Sequence, residues 1–329
     1  MLLLNASEVK KLLPMKEAIE ADKRAFLLHS AGATEVPVRS GFEMPGRGTV
    51  LFMPAYVKGD IGRAGIKIVS VFPGNRDKGL PVVPAQVLLT DPETGEVAAL
   101  INGSEVTRIR TGAISGAATD ILARKTSSVA ALFGTGGQAP SQLEAILCVR
   151  PVKEVRVYDS LECRIVPFIE DNKAIAEKYG AKLAAAKSPD AAIDGADIIT
   201  TATTSKEPVF DGSRVAPGAH VNAVGSFTPE ARELDEALLN RARVFVDNSE
   251  AVLAEAGDFL IPASSGAYDI KNIAGEIGDV LAGKLAGRGG EKEITVLKTV
   301  GYAVLDVVAA YQIYKNALER GVGTEIDIQ

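Results

Sequence analysis

The 329-residue chain is poor in the side chains that several kinds of chemistry require. It has two cysteines and two histidines. Cys148 and Cys163 form no CxxC pair and no zinc-type spacing, so both read as reduced thiols. His29 and His220 are too few for a histidine-rich metal centre, and no metal is expected. No run of five or more basic residues occurs. A net charge of −6 and a pI near 5.3 argue against a nucleic-acid surface. No apolar stretch approaches the roughly 18 residues of a membrane helix, and Leu2-Leu3-Leu4 is too short for a signal-peptide core. These absences predict a cytoplasmic protein with neither membrane nor nucleic acid as partner. What remains is globular: 47% hydrophobic and 24% charged residues, in a chain long enough for about two domains.

The most informative segment begins at Val129. An apolar run, 129–133, leads into Gly134-Thr135-Gly136-Gly137-Gln138-Ala139, then a helix-compatible stretch, then a second apolar run closed by Asp159. Each part has a task in dinucleotide binding. Gly134 permits a tight strand-to-helix turn. Gly136 lets backbone approach a pyrophosphate, and Ala139 allows close helix–strand packing. The helix start offers free N–H groups to phosphates, and Asp159 suits a ribose diol. A glycine-rich turn alone is weak evidence; the flanking elements and the acid at this distance make it specific. Asp159 repels a 2′-phosphate and favours NAD(H). Ser160 and Arg164 follow it, and an arginine there can accommodate NADP(H).

Periodicity predicts helix over 5–30, with Asn5 or Ser7 as cap. Strands are expected at 36–42, 49–53, 64–72, 85–90 and 96–101. A small-residue helix is expected over 103–124. From 129 to about 250 strands (129–133, 155–159, 197–203, 220–225, 244–248) alternate with helices (138–149, 161–179, 229–242), which implies a parallel sheet. A last helical run spans Thr299 to Arg320. The fold expected is α/β: a Rossmann-type dinucleotide-binding domain over 121–301, and a discontinuous α+β substrate and dimerisation domain over 1–120 plus 302–329.

Three cations stand out in the N-terminal part. Lys67 interrupts an apolar strand, Arg39 lies in another candidate strand, and Arg110 enters the small-residue helix beside Thr111. Buried ammonium needs a partner. Arginine grips a carboxylate with two parallel hydrogen bonds, and lysine supplies a compact charge. Singly, each reads equally well as a solvated strand edge or a surface ion pair. Together, beside a dinucleotide motif, they favour an anion site.

Arg39, Met53-Pro-Ala-Tyr56, Gly65-Ile-Lys67, Phe72-Pro-Gly-Asn75, Arg110-Thr-Gly-Ala113, the glycine loop, Asn222-Ala-Val-Gly-Ser226 and Thr299-Val-Gly-x-Ala-x-x-Asp306 resemble the ornithine cyclodeaminase/μ-crystallin family over nearly the whole chain. The resemblance implies a homodimer, and hydride exchange between nicotinamide and the Cα of an amino or imino acid. It places the substrate carboxylate on Arg39, Lys67 and Arg110, with Lys67 and Arg110 at the chemistry and Met53 beside the pocket. It places the cofactor on Thr111, the 134–139 loop, Asp159, Val224, Ser226, Thr299 and Gly301. Asp306 matches a family position: it either orients the nicotinamide region or is a helix-surface charge. His220, opening an apolar strand, reads as structural.

One departure matters. Where cyclodeaminase and archaeal-type alanine dehydrogenase carry an aspartate, this chain has Phe227, which cannot ionise. Glu230 is near but reads as a charge in a first helical turn. The expected activity is therefore reduction of a cyclic imino acid of the Δ1-pyrroline-2-carboxylate type. The alternatives are ornithine cyclodeaminase, alanine dehydrogenase and a non-catalytic dinucleotide- or ligand-binding protein.

Overall fold

The computed structural model describes residues 1–327 and separates into two units, Met1–Arg110 with Tyr302 onward, and Thr111–Gly301. In the first unit, strand β1 (Leu2–Leu4) leads to helices α1 (Ala6–Leu12) and α2 (Met15–Ser30). Asn5 starts α1 with a capping box: its side chain accepts from the N–H of Ser7 and Glu8, and Glu8 accepts from the N–H of Asn5. Pro14, without a donor, divides the predicted single helix in two.

Strands β2 (Thr34–Glu35), β3 (Ser40–Met44), β4 (Gly48–Val57), β5 (Arg63–Val71), β6 (Ala85–Thr90) and β7 (Val97–Asn102) follow. The sheet order is β16-β1-β7-β6-β5-β4-β2, where β16 is Thr324–Glu325, and β3 also pairs with β4. Strands β4 to β7 are antiparallel, whereas β1 is parallel to β7. The strand expected at 36–42 is not continuous. Residues 36–39 fall outside any strand, because Pro37 has no N–H for a ladder, so Arg39 lies in a link rather than a strand. Helix α3 (Gly103–Leu122) comes next; its residues to Arg110 belong to this unit.

Helix α11 (Ala303–Arg320) packs on α2 and on β4, β5 and β6. Period-two alternation turns Gly65, Lys67 and Val69 of β5 to the buried face. Gly65 is required there: a Cβ would lie 2.8 Å from the Leu88 carbonyl oxygen and 3.0 Å from Cγ2 of Val307. That close approach puts the residue preceding Val307, Asp306, within reach of Lys67.

The second unit is built on a wholly parallel sheet. Its strands are β8 (Val129–Phe133), β9 (Glu154–Tyr158), β10 (Lys182–Ala185), β11 (Ile198–Thr201), β12 (His220–Ala223), β13 (Ala242–Val246), β14 (Ile273–Glu276) and β15 (Ile294–Lys298), ordered β10-β9-β8-β11-β12-β15-β13-β14. The order reverses at β8, which marks the switch point where open α/β sheets take ligands. Helices α4 (Ala139–Val149), α5 (Ile165–Lys178), α6 (Pro189–Ile193), α7 (Glu236–Leu239), α8 (Ser249–Glu255), α9 (Gly257–Ser264) and α10 (Ile277–Leu281) connect the strands. Apolar side chains on the two faces, such as Phe133 and Val221 on one and Leu132 and Val155 on the other, form two cores. The helix expected at 229–242 is confined to α7. Glu230 sits exposed in a turn, so no helix dipole acts on it. The last helix starts at Ala303 rather than Thr299, because Gly301 takes the left-handed φ of 72°.

Candidate functional site

In the first unit Asp306 accepts one bond on each oxygen. Lys67 Nζ lies 2.7 Å from Oδ2, and Arg110 Nε lies 2.9 Å from Oδ1. Lys67 is 1% exposed, Arg110 5% and Asp306 0%, so charge here is weakly screened. Burial, reinforced by Arg110, brings the Lys67 ammonium down to about 7 against the opposing pull of Asp306. Arg39 is half-buried, and its charge also depresses Lys67. Met53 is the cross-strand neighbour of Lys67 and is buried. Lys67 is thus no strand-edge lysine, and Asp306 is not a helix-surface charge. It is the common counter-ion of the two cations, and it orients both. With Lys67 protonated, two cations against the Asp306 carboxylate leave one surplus positive charge, suited to a carboxylate.

Sequence reasoning did not identify that counter-ion role. The signal was present: Asp306 stands between Leu305 and Val307 in a run of apolar residues, where an unpaired acid is costly.

In the second unit β8 ends on Gly134, whose N–H donates to the Tyr158 carbonyl at 2.9 Å. Its φ is 93°, and a Cβ there would lie 2.6 Å from the Ala202 carbonyl oxygen, so any side chain is excluded. Gly136 and Gly137 differ. Neither has a positive φ, and a Cβ on either would meet nothing within 4 Å. The fold itself does not demand glycine at these two exposed positions, and their backbone stays open to approach from outside. Gln138 precedes α4 without capping it, and its Oε1 is buried with no hydrogen-bond partner among the described residues. Ala139 is fully buried at the helix start. No acidic residue occupies the first turn of α4, so no carboxylate offsets its positive dipole end; of its first residues, Ala139 donates its N–H to the Gly136 carbonyl at 3.0 Å and Pro140 has none.

Asp159 follows β9. Its Oδ2 accepts from the Thr135 N–H at 2.9 Å and from Thr135 Oγ1 at 2.7 Å, and its Oδ1 accepts from Leu161 N–H at 2.9 Å. These bonds seat the carboxylate against the glycine loop. Beyond it a cleft of about 290 Å³ is lined by Tyr158, Glu162, Ile165, Val166, Ala186 and Lys187. Ser160 and Arg164 are exposed, Arg164 immediately before α5. The remaining expected contacts are placed by the fold's own bonds. Thr111 offers its carbonyl to Gln142 at 3.0 Å. Val224 N–H donates to the Thr201 carbonyl, and Ser226 Oγ to the Ala231 carbonyl at 2.6 Å. Thr299 Oγ1 and Gly301 N–H both donate to Asp247, at 2.5 and 2.8 Å. Asp247 was not anticipated; burial raises its carboxyl despite these donors. The glycine loop, the α4 start and Asp159 fit a dinucleotide.

His220 is structural. Its ring nitrogens lie 3.0 Å from Thr295 Oγ1 and 3.0 Å from Asn222 Oδ1, and burial pushes it down to about 3, so it stays neutral. Phe227 is 41% exposed.

If Gly136 and Gly137 are kept open for a ligand, Gly136→Val is expected to weaken NADH binding at least about tenfold, some 1.4 kcal/mol. Its melting temperature should stay within a degree or two of the parent's. Fluorescence titration and calorimetry test both; equal NADH affinity in parent and variant would remove this loop from the cofactor site.

A Δ1-pyrroline-2-carboxylate reductase from Bacillus cereus is 39% identical over 329 residues, covering 99% of this chain and all of the relative. The structure of Thermococcus litoralis Δ1-pyrroline-2-carboxylate reductase with NADH and L-proline superposes with a TM-score of 0.94 at 41% identity, covering 99% of this chain and all of that one. An archaeal alanine dehydrogenase dimer with bound NAD superposes at 0.92 with 36% identity, covering all of this chain and 99% of that one. The sequence model of the ornithine cyclodeaminase/mu-crystallin family matches residues 1–321, and the chain belongs to that family.

Proposed function

We propose that this protein reduces a small cyclic imino acid of the Δ1-pyrroline-2-carboxylate type to the amino acid, with NAD(H) as cofactor. The observation that carries the reading is the buried Lys67–Asp306–Arg110 cluster with its surplus positive charge, in a chain whose other unit carries the glycine loop and Asp159. Arg110, Lys67 and Arg39 take the substrate carboxylate. Asp306 holds the first two so that binding costs little rearrangement. The reduced nicotinamide supplies the hydride that adds to the imine carbon. The nitrogen enters as the protonated imine, so the carbon is already electrophilic, and the product amine needs no further proton from the enzyme.

Within the second unit, Gly134 to Ala139 and the start of α4 hold the pyrophosphate, and Asp159 holds the adenosine ribose. Thr111, Val224, Ser226, Thr299 and Gly301 complete the cofactor's surroundings. Asp159 disfavours NADP(H), while exposed Arg164 and Ser160 leave a weaker use of it open. The absence of an acid at Phe227, with Glu230 exposed in a turn, favours imine reduction over cyclodeaminase and alanine dehydrogenase chemistry. The test is a panel with each cofactor: Δ1-pyrroline-2-carboxylate, pyruvate with ammonia, and ornithine. Proline formation with stoichiometric NADH consumption is expected. Ammonia release from ornithine on catalytic NAD, or alanine formation as the main activity, would overturn the reading. NADH binding without turnover on any of them would favour a binding protein.

The protein works as a cytoplasmic homodimer in this reading. Strand β3 is exposed along its whole length and carries Phe42, 68% exposed, and Met44; Val38 and Leu80 are exposed as well. Such an apolar surface is suited to a second copy. Light scattering should give twice the chain mass, and Phe42→Asp should shift it toward the monomer; a monomeric parent at micromolar concentration would sink the assignment.

A further inference from the structure

Asp22 on α2 is an acid that interacts electrostatically with Arg110 and Asp306 and that the chemistry above does not use. It is fully buried, and neither carboxyl oxygen has a hydrogen-bond partner among the described residues. Along α2 its neighbours one turn away are apolar and buried: Ala18, Ile19, Ala25 and Phe26. His29 is the next titratable residue on that face, two turns on. Lys23 and Arg24, adjacent in sequence, are turned to Glu20 and Asp60. The charges that act on Asp22 come from other elements: Arg110 from α3, and Asp306 from α11, the latter bonded to Lys67 on β5. Two carboxyl groups on packed helices therefore share the field of one guanidinium, and only Asp306 is bonded to it.

A stability role does not account for this arrangement. An unpartnered buried acid is less favourable than an apolar residue of similar size. Its electrostatic consequence concerns the clamp. With Asp22 neutral, the buried groups Lys67, Arg110 and Asp306 keep their one surplus positive charge. With Asp22 ionised, that surplus vanishes before any substrate arrives.

Resting on the reading of Lys67 and Arg110 as a carboxylate clamp, we propose that Asp22 is a positioning residue that sets the clamp's charge. Carrying its proton it leaves Arg110 free to attract one carboxylate, and on losing the proton it competes with the substrate. Burial, aided by Asp306 and opposed by Arg110, raises Asp22 well above the usual carboxylate range, which agrees with a neutral resting form. A substrate carboxylate then binds together with retention of this proton, so affinity is linked to pH through two groups, Asp22 and Lys67. Both act in the same direction: each loses a proton as pH rises, and each loss removes positive charge from the clamp.

The experiment uses the full-length protein saturated with NADH, and pyrrole-2-carboxylate, a planar monocarboxylate without a titrating amine, as probe. Calorimetric affinities from pH 6 to 10 are expected to fall in the parent with a limiting slope near two decades per pH unit. In Asp22→Asn the slope should be near one, because only Lys67 remains to titrate. Proton uptake on binding, read from buffers of different ionisation enthalpy, should change in parallel. Asp22→Leu provides a second variant with the same expected slope. The parent-minus-variant infrared difference spectrum at neutral pH should show the carbonyl stretch of a protonated carboxylic acid. Equal slopes in parent and variants, or absence of that band, overturns the proposal while leaving the clamp standing. Unchanged probe affinity in Arg110→Ala overturns the clamp itself, and with it the role of Asp22.

Discussion

Arg110→Ala is expected to lower kcat/KM for Δ1-pyrroline-2-carboxylate about a thousandfold, with NADH affinity unchanged. A hydrogen bond to a charged group contributes about 1.5–3 kcal/mol, and a guanidinium offers a carboxylate two in parallel. Losing both raises the barrier by roughly 3–6 kcal/mol, and each 1.36 kcal/mol is about a factor of ten. The misplaced imine carbon then adds to the loss, since hydride transfer depends on alignment. Lys67 keeps its charge near the site, which holds the effect near the middle of that range. Arg110→Lys should recover about one decade: it restores charge but not the planar fork. Steady-state kinetics decide the matter, and an unaltered kcat/KM in the alanine variant removes Arg110 from the site.

Asp306→Ala is expected to affect both stability and turnover. Breaking a buried ion pair by deleting one partner costs about 3–5 kcal/mol, because the remaining charge is left uncompensated. Here two cations lose the same counter-ion. Lys67 can shed its proton, being already brought to about 7; the buried Arg110 guanidinium is left without the carboxylate its Nε donates to. With 1 kcal/mol shifting Tm by roughly 2–4 °C in domains of this size, the melting temperature should fall on the order of 10 °C. Turnover below the new transition should fall at least about a hundredfold, since neither cation is held in position any longer. A variant that melts like the parent would show that Asp306 is not the counter-ion of a buried pair in solution.

What the sequence made legible was mostly local. The glycine loop, the strand before it and Asp159 lie within about thirty positions, and their spacing is set by one βαβ unit. Lys67 was legible as an anomaly, a cation at an inward position of an apolar strand. Its partner was not, because Lys67 and Asp306 are 239 positions apart and only the packing of α11 on β5 joins them. Two expected elements failed for identifiable reasons. The strand through Arg39 is interrupted at Pro37. The helix at 229–242 loses its first part to tertiary bonds: the N–H groups of Glu233 and Leu234 donate to Asp258 at 2.7 and 2.8 Å, and Arg232 N–H to the Ser205 carbonyl at 3.0 Å. Glu233 in turn accepts from Thr201, Thr203 and Gly225. Helical periodicity competes poorly with backbone groups satisfied by distant partners.

The unit holding the cation cluster is written at both ends of the chain, with the whole dinucleotide unit between. A ribosome adding about 5–20 residues per second therefore delivers Lys67 roughly ten to fifty seconds ahead of Asp306. Throughout that interval the nascent sheet has a lysine at an inward position and no acid to meet it. The intervening unit is complete in sequence before α11 emerges, and can fold during translation. The unit with the cation cluster closes last, once α11 leaves the exit tunnel, so a chain stopped at Gly301 would carry a finished parallel sheet and a lysine still waiting for its counter-ion.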